Sequence, residues 1–209
     1  MASHIDASTG QLTEGESWVG IDTHTCTASD AEVTFTSTTG STDYKKNWSQ
    51  YQDLILIMSV RSDRNNTDDN VYMKLEQQTD AYWGQQMYMS GTYVYDYTYA
   101  SPIAHAELGS ISAATMTAGY FSPFNIELFD INTGKYKSVI SEWGHDTNAS
   151  STSQVGQYSS LWTDTSDGML SVEAISRIDL WCQHGNFAAG SKFDLFGVLP
   201  RMIENTAVA

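Results

Sequence analysis

The chain has 209 residues, of which 41% are apolar and 17% are charged, so its composition argues against a disordered polypeptide. Its 10 basic and 25 acidic residues give a net charge of −15, and without a basic stripe it is not expected to bind bare nucleic acid. This length suits a single buried core and is common for one all-β domain.

The apolar pattern along the chain predicts many short strands separated by turns. Residues 1–30 are small and polar around one apolar patch, which indicates an extended arm or an edge strand. Residues 31–200 carry the strand signals of a sandwich, and residues 201–209 form a C-terminal tail. More than eight strands favour two antiparallel sheets in a jelly-roll-like β-sandwich. The predicted strands cover 33–36, 48–60, 71–75, 92–99, 124–131, 135–143, 168–171, 174–182 and 191–198.

Several segments allow local predictions. Residues 54–58 are apolar without alternation, which indicates a strand covered on both faces. The charged segment 62–70 predicts a turn that leads into 71–75 as the hairpin partner of that strand. Asn-Thr-Gly at 132–134 predicts a tight hairpin between two later strands. The Thr- and Ser-rich residues 111–118 are the one candidate for a helix.

A search for catalytic chemistry finds no organised site. Zinc-binding, nucleotide-binding and nucleophile-elbow motifs are absent from the sequence. Asp63, Asp68 and Asp69 lie close enough together to bind a hard cation, but a solvated turn is the favoured interpretation. We therefore expect no enzyme activity, no cofactor and no metal. The histidines are isolated from one another, at positions 4, 24, 105, 145 and 184.

The two cysteines and the apolar segments bear on where the protein resides. Cys26 and Cys182 could form a disulfide, although so few cysteines favour reduced thiols. The longest apolar stretch, 54–58, is too short to cross a membrane, and the first ten residues have no basic start and no apolar run. We therefore expect a protein that is made in soluble form and does not contact a membrane.

An alternating aromatic run is the most distinctive surface candidate. If residues 92–99 form a strand, four tyrosine rings lie on one face of it. Such a row can form an intersubunit or core face, cover an ordinary surface, or stack on a sugar. The candidate residues for contact with a partner chain or a glycan are Trp83, Tyr93, Tyr95, Tyr97 and Tyr99.

The segment 175–198, ISRIDLWCQHGNFAAGSKFDLFGV, contains two apolar runs separated by Gly-Asn and Gly-Ser turns. It resembles the C-terminal signature of virion proteins from tailed bacteriophages, in which an isoleucine-rich strand leads through G-N-F and G-S into L-Y/F-G-I/V. The likeness extends to FNIELFDINTGKYKS at 124–138 and to residues 51–60, which a polar loop connects to residues 71–73, while Phe196 replaces the usual Tyr. It implies a jelly-roll-like module that occurs in capsid decoration proteins and in tail proteins.

These features lead us to expect a non-enzymatic virion structural protein, made in the host cytoplasm. The first expectation is a decoration or cement protein on the outer surface of the head, bound to the major capsid protein or to other virion proteins. The alternative is a tail-associated receptor-binding or carbohydrate-binding module that stacks host glycan on the tyrosines. Exposed edge strands predict a homotrimer or a dimer. The polar residues 1–16 are expected to be needed for attachment and dispensable for folding.

Overall fold

The structure, a computed structural model, describes residues 18–38, 44–78, 82–99, 101–146, 153–163 and 173–199. The predicted arm 1–16, the predicted strand 168–171 and the tail 201–209 lie outside these residues. The described residues form twelve strands and two short 3-10 turns, Tyr44–Lys46 and Trp48–Gln50. The strands are β1 (Trp18–Thr25), β2 (Glu32–Thr36), β3 (Asp53–Val60), β4 (Asp68–Leu75), β5 (Tyr82–Ser90), β6 (Tyr93–Thr98), β7 (Ala106–Ser112), β8 (Ser122–Leu128), β9 (Lys137–His145), β10 (Gln154–Trp162), β11 (Arg177–Cys182) and β12 (Lys192–Val198).

The strands form two antiparallel sheets, and the predicted all-β sandwich is confirmed. The larger sheet has the order β1-β12-β3-β8-β9-β10-β5-β6, and the smaller sheet has the order β2-β11-β4-β7. Eight of the strands form two sets of four, β1-β12-β3-β8 and β2-β11-β4-β7. The chain crosses between these sets from β1 to β2, from β2 to β3, from β3 to β4, from β7 to β8, from β8 to β11 by way of β9 and β10, and from β11 to β12. This alternation is the strand order of a jelly roll.

Two additional hairpins extend the larger sheet. The β5–β6 hairpin is inserted between β4 and β7, and the β9–β10 hairpin is inserted between β8 and β11. β10 pairs with β5 along its whole length, so the two hairpins add four strands on one side of the jelly roll. β7 of the smaller sheet packs across β9 and β10. The outermost added strand, β6, is therefore the edge of the larger sheet.

The core lies between the two sheets and follows the alternation of the strands. In β9 every second residue from Lys137 to His145 is buried, and β2 buries Val33 and Phe35 in the same way. Cys26 and Cys182 are buried free thiols. No helix among the described residues is long and apolar enough to cross a membrane. The largest fully buried side chains include Trp48, Trp162, Tyr51, Tyr82, Tyr158 and Phe187.

The first described strand belongs to the sandwich. β1 pairs with β12 over its length and forms the other edge of the larger sheet. Residues 18–25 lie within the segment 1–30 that the sequence assigned to an arm or an edge strand, and they form an edge strand. Asp30 extends this contact, because its backbone exchanges two hydrogen bonds with that of Phe187. The sandwich thus includes residues N-terminal to position 31.

The predicted hairpin between β3 and β4 is wrong, and the predicted burial of both faces of β3 holds only in part. β3 pairs with β12 and β8, whereas β4 pairs with β11 and β7, so the two strands lie in different sheets and form no hairpin. The segment 62–70 is a corner between sheets. The outer face of β3 is covered only in part, because Ile55 on that face is buried whereas Ile57 is 41% exposed. The hairpin predicted around residues 132–134 is confirmed, since β8 and β9 pair across it, but it is not tight, because the eight residues 129–136 connect the two strands.

The predicted helix at 111–118 is also wrong, and Arg61 explains why. Ile111 and Ser112 complete β7, and the residues after them form turns. The buried Arg61 guanidinium donates hydrogen bonds to four backbone carbonyl groups of this loop. In a helix these carbonyl groups would accept hydrogen bonds from backbone amides of the same helix, but here they accept them from Arg61, which directly follows β3. The four acceptors are the carbonyl oxygens of Ala114, Met116, Thr117 and Tyr120.

Candidate functional site

The inserted strand β6 exposes all six of its residues. Because side chains alternate along a strand, Tyr93, Tyr95 and Tyr97 lie on one face, as the sequence predicted. This is the inner face of the larger sheet, but here the smaller sheet does not cover it. The three tyrosines are 69%, 45% and 54% exposed. They form the tyrosine row, a continuous aromatic surface at the edge of the sandwich.

The tyrosine row is anchored to the core through a stack of rings. Tyr95 stacks on its cross-strand partner Tyr88, with ring centroids 5.1 Å apart and an interplanar angle of 17°. Tyr88 in turn contacts the buried Trp143 at 6.2 Å. Gly156 makes room for this stack, since a Cβ at that position would lie 2.6 Å from the Cβ of Tyr88. The middle of the row is therefore held in a defined orientation.

Tyr99 continues the row and differs from the other tyrosines. It follows the end of β6, and its ring contacts Tyr97 at 5.0 Å and the buried Tyr158 at 6.3 Å. Its hydroxyl group donates a hydrogen bond to the Glu107 carboxylate on β7. Burial raises the pKa of Tyr99, and burial also raises the pKa of Glu107. Tyr99 thus connects the hairpin to the smaller sheet, which is a structural role.

The opposite face of the same hairpin is also apolar. Met89 lies between its cross-strand partners Val94 on β6 and Val155 on β10. With Met87 these side chains form the methionine patch, a cluster whose members are 46% to 69% exposed. A shallow groove of about 320 Å³ runs between them. Large exposed apolar side chains on both faces of a hairpin at a sheet edge are typical of a surface that contacts another protein.

Trp83 lies on the outer face of the sheet and is separated from the tyrosine row by the sheet itself. It pairs with Leu161 and is 40% exposed. The two side chains line a groove of about 440 Å³, whose walls carry aromatic, aliphatic, hydroxyl and amide groups. The structure therefore does not bring Trp83 together with Tyr93, Tyr95 and Tyr97, whereas Tyr99 lines part of the same groove. The other side chains of this Trp83 groove include Gln85, Thr98, Ser138, Ile140 and Ser159.

The acidic cluster in the corner between β3 and β4 has a structural role. Asp69 is buried and accepts hydrogen bonds from the Ser62 hydroxyl at 2.8 Å and from the Gly185 amide at 2.9 Å. Asp63 accepts a hydrogen bond from the Asn186 amide at 2.7 Å. The predicted solvated turn is therefore wrong for Asp69. Both carboxylates fix the connection between β11 and β12.

The structure brings together three side chains that the sequence interpretation left apart. The Nε2 atom of His24 lies 2.8 Å from an Asp30 carboxylate oxygen, and ligand atoms of His24, Cys26 and Asp30 all lie within 4.8 Å of one another. Burial raises the pKa of the Cys26 thiol to about 12, and the hydrogen bond to His24 lowers the pKa of Asp30. The missed signal is His-x-Cys at the end of a strand, where both side chains share one face.

Comparisons with known proteins leave the function open. No family model and no curated protein matches the chain. The chain is weakly similar to the marine PL-14 alginate lyase from Aplysia kurodai, with 11% identity, a TM-score of 0.23, and 81% of this chain and 82% of that chain covered. It is also weakly similar to the infectious bursal disease virus VP2 subviral particle, with 12% identity, a TM-score of 0.17, and 86% and 41% covered. At these TM-scores neither likeness carries an argument.

Proposed function

We propose that this chain is a non-enzymatic structural subunit of a tailed-phage particle, and within that class a decoration or cement protein of the head. The observation that carries the proposal is the inserted β5–β6 hairpin, which exposes the tyrosine row on one face and most of the methionine patch on the other. Exposure of this apolar surface and of the unpaired strand edge to water is unfavourable, and contact with another protein would bury both. The reason for assigning the chain to a phage particle is the segment 175–198, which resembles the C-terminal signature of virion proteins from tailed bacteriophages.

The jelly-roll core is compatible with this role and with many others, so the argument for function rests on the surface. The Trp83 groove is lined by an indole ring, hydroxyl groups and an amide, which can stack on a bound partner or form hydrogen bonds with it. On the inner side of the sheet, the Tyr99 hydroxyl donates a hydrogen bond to the Glu107 carboxylate. Aromatic, hydroxyl and amide groups of this kind favour the recognition of a partner. The proposed function does not include a bond-breaking reaction.

The proposal assigns the β6 edge to a second copy of this chain. An antiparallel pairing of β6 with its own symmetry copy, centred on Tyr95, would place Tyr93 opposite Tyr97 on the face of the tyrosine row. In the same register Val94 lies opposite Asp96, so the two acidic side chains do not face each other directly. The edge is thus self-complementary, and the pairing would extend the sheet across the interface.

Attachment to the head is assigned to the polar segment 1–16 and to the rest of the sandwich. A net charge of −15 keeps the subunits soluble at high copy number and favours less acidic partner surfaces. A decoration subunit that bridges neighbouring capsid subunits adds contacts that must break before the shell opens. We therefore expect the protein on the outer surface of the shell and bound to the major capsid protein.

The test compares particles with and without the protein. Particles that lack it should release their genome at a lower temperature and under a weaker osmotic shock, and addition of the purified chain should restore the resistance. A variant that lacks residues 1–16 should remain folded and fail to restore it. Equal resistance with and without the protein would refute the cement role. Imaging of labelled particles distinguishes the head from the tail.

A tail-associated receptor-binding or carbohydrate-binding module is the second candidate. It is favoured by the Trp83 groove, in which an exposed indole ring is surrounded by hydroxyl and amide groups, an arrangement suited to a sugar ring. This function predicts that the purified chain binds host cells or surface glycans and blocks phage adsorption. Trp83→Ala should abolish the binding, while Tyr136→Ala, which removes an exposed ring elsewhere, should not. Full binding by Trp83→Ala would exclude the groove.

A further inference from the structure

We propose that His24, Cys26 and Asp30 form a binding site for Zn²⁺ or a chemically similar divalent transition-metal ion. Their ligand atoms, an imidazole nitrogen, a sulfur and a carboxylate oxygen, all lie within 4.8 Å of one another. The His24 Nε2 atom and the Asp30 Oδ2 atom are already 2.8 Å apart. A metal ion placed among these atoms would replace that hydrogen bond with two coordinate bonds. The inference is independent of the proposed particle function.

The main chain holds the ligands in place. His24 lies in β1, opposite Phe193 of β12 in the ladder, and its ring contacts the Phe193 ring at 6.0 Å. The Cys26 amide donates to the Ser191 carbonyl oxygen at 2.9 Å, and the Cys26 carbonyl oxygen accepts from the Gly190 amide at 2.8 Å. These bonds fix the Cys26 backbone against the start of β12.

Asp30 is fixed by a second pair of backbone bonds. Its amide donates to the Phe187 carbonyl oxygen at 3.0 Å, and the Phe187 amide donates to the Asp30 carbonyl oxygen at 2.9 Å. The segment between β11 and β12 therefore positions the backbones of both Cys26 and Asp30. A site whose ligands are held by the surrounding fold loses little conformational entropy when the ion binds.

The donor set determines the class of metal. Thiolate and imidazole ligands favour Zn²⁺ and related transition-metal ions, whereas Ca²⁺ and Mg²⁺ require shells of oxygen ligands. Three protein ligands leave a fourth position for water in a tetrahedral zinc site. The side chains of His24 and Asp30 are 42% and 33% exposed, while Cys26 is buried beneath them. An ion can therefore enter from solvent and meet the sulfur at the bottom of the site.

Metal binding requires the loss of one proton. The buried thiol of Cys26 must lose its proton when the metal–sulfur bond forms, and that proton leaves to solvent. Next to Asp30, the Ser29 hydroxyl donates a hydrogen bond to the carboxylate of Asp63, which ties this turn to the corner between β3 and β4. Bound metal would connect the end of β1 to the turn that leads into β2. We expect it to raise the melting temperature of the protein.

The experiment titrates the full-length, metal-stripped chain with Co²⁺ in a buffer that contains a non-chelating reductant, followed by competition with Zn²⁺. We expect one equivalent of Co²⁺ to produce a thiolate-to-cobalt charge-transfer band, which Zn²⁺ abolishes. Cys26→Ser should lose the band, and His24→Gln and Asp30→Asn should weaken Zn²⁺ binding at least about tenfold. Because His24 and Asp30 are partly exposed, their variants should fold even if Cys26→Ser does not.

Cys182→Ser is the matched control, because Cys182 is the second buried free thiol of the described residues. It should bind Co²⁺ and Zn²⁺ as the natural chain does. The proposal is overturned if the chain shows no band with excess Co²⁺, if His24→Gln and Asp30→Asn bind Zn²⁺ with unchanged affinity, or if Cys182→Ser alone removes the band.

Discussion

The hydroxyl group of Tyr99 donates a hydrogen bond to the carboxylate of Glu107 and so joins the inserted β5–β6 hairpin to β7 of the smaller sheet. The backbone of Tyr99 is held as well, because its amide donates to the Gly84 carbonyl oxygen at 3.0 Å. This contact ends the exposed tyrosine row and begins the buried part of the domain. It also leaves a carboxylate in a place where burial raises its pKa above the ordinary value of 4.5.

Replacement of Glu107 by glutamine should stabilise the protein at neutral pH. The raised pKa means that the folded state holds the Glu107 proton more tightly than the unfolded state, so stability is lost as pH rises through the folded pKa. The amide keeps an oxygen that can accept the Tyr99 hydrogen bond. We expect Glu107→Gln to gain on the order of 1 kcal/mol in the free energy of unfolding at pH 7.5.

Urea unfolding at several pH values checks this expectation. The gain should shrink as pH falls and vanish below about pH 4.5, where Glu107 is protonated in both states. Glu142→Gln, which removes an exposed carboxylate from β9, should change the free energy by less than about 0.5 kcal/mol. A Glu107→Gln variant that is less stable than the natural chain at pH 7.5 would show that the charged hydrogen bond outweighs the cost of burial.

The sequence predicted the layers of this fold better than its connections. Alternation within each segment identified the strands and placed Tyr93, Tyr95 and Tyr97 on one face, because strand periodicity is a local property. It could not show that β3 and β4 belong to different sheets, since sheet membership depends on partners far along the chain. Nor could it show that Arg61 would use the carbonyl groups of the loop after β7.

For the candidate sites too, the sequence could not predict features that depend on contacts between distant parts of the chain. The sequence grouped Trp83 with the tyrosines because they are near in the chain. Side chains alternate along β5, however, so Trp83 lies on the face opposite to the one that Tyr88 shares with Tyr95. The cluster of His24, Cys26 and Asp30 requires a turn after β1 that is set by backbone bonds to Phe187 and to Ser191. Those contacts span most of the chain, so the local His-x-Cys pattern could not by itself show that Asp30 joins the other two side chains.

His145 should make the protein sensitive to acid. Burial lowers its pKa, although the carboxylates of Asp68 and Asp146 act in the opposite direction. Its ring is buried and lies parallel to that of Trp143, with centroids 6.0 Å apart. Below its unfolded pKa of about 6.5 the unfolded state binds the proton more readily, so stability falls as pH falls from there towards the folded pKa.

A His145→Phe variant tests this assignment. Phenylalanine keeps a ring beside Trp143 and removes the group that titrates, so the loss of stability between about pH 7 and pH 5 should decrease. Some loss should remain, because burial also lowers the pKa of His105. His184→Gln, at an exposed position, should keep the acid sensitivity of the natural chain. An unchanged pH profile in His145→Phe would assign the acid sensitivity to other groups.

Gly109 should not tolerate a side chain. Its φ of 138° is one that other residues rarely adopt, and a Cβ there would lie 2.4 Å from the ring of Trp143. We expect Gly109→Ala to cost about 3 kcal/mol or more in the free energy of unfolding, measured by urea titration. Gly134→Ala, where no atom lies within 4 Å of the added carbon, should be neutral within about 0.5 kcal/mol. Similar stabilities of the two variants would contradict the packing described for Trp143.

Arg61 should be replaceable by neither lysine nor an apolar residue. Its guanidinium donates four bonds to the loop after β7, at 2.6 Å to 3.3 Å, and one ammonium group cannot reach acceptors in that planar arrangement. We expect Arg61→Lys to cost about 2–4 kcal/mol and to speed amide hydrogen exchange in residues 113–120. Arg64→Lys, at a partly exposed side chain, should cost less than about 1 kcal/mol. Equal costs would remove the special role of Arg61.

Self-association through β6 should depend on its central residue. In the proposed pairing Tyr95 faces its own copy, so Tyr95→Lys would place two cations opposite each other at the axis, where like charges destabilise a pair. We expect the natural chain to form a dimer in sedimentation velocity and Tyr95→Lys to be a monomer. The variant should remain folded, because the lost stack on Tyr88 is worth only about 0.5–1.5 kcal/mol.

Charge alone cannot explain that outcome, since the substitution makes an acidic chain less acidic and so weakens the general repulsion between copies. Tyr136→Lys makes the same change of charge at an exposed tyrosine in the loop between β8 and β9, and it should associate like the natural chain. If Tyr95→Lys also associates normally, the interface lies elsewhere and the tyrosine row is free for the glycan role. If only Tyr95→Lys dissociates, β6 is the subunit contact.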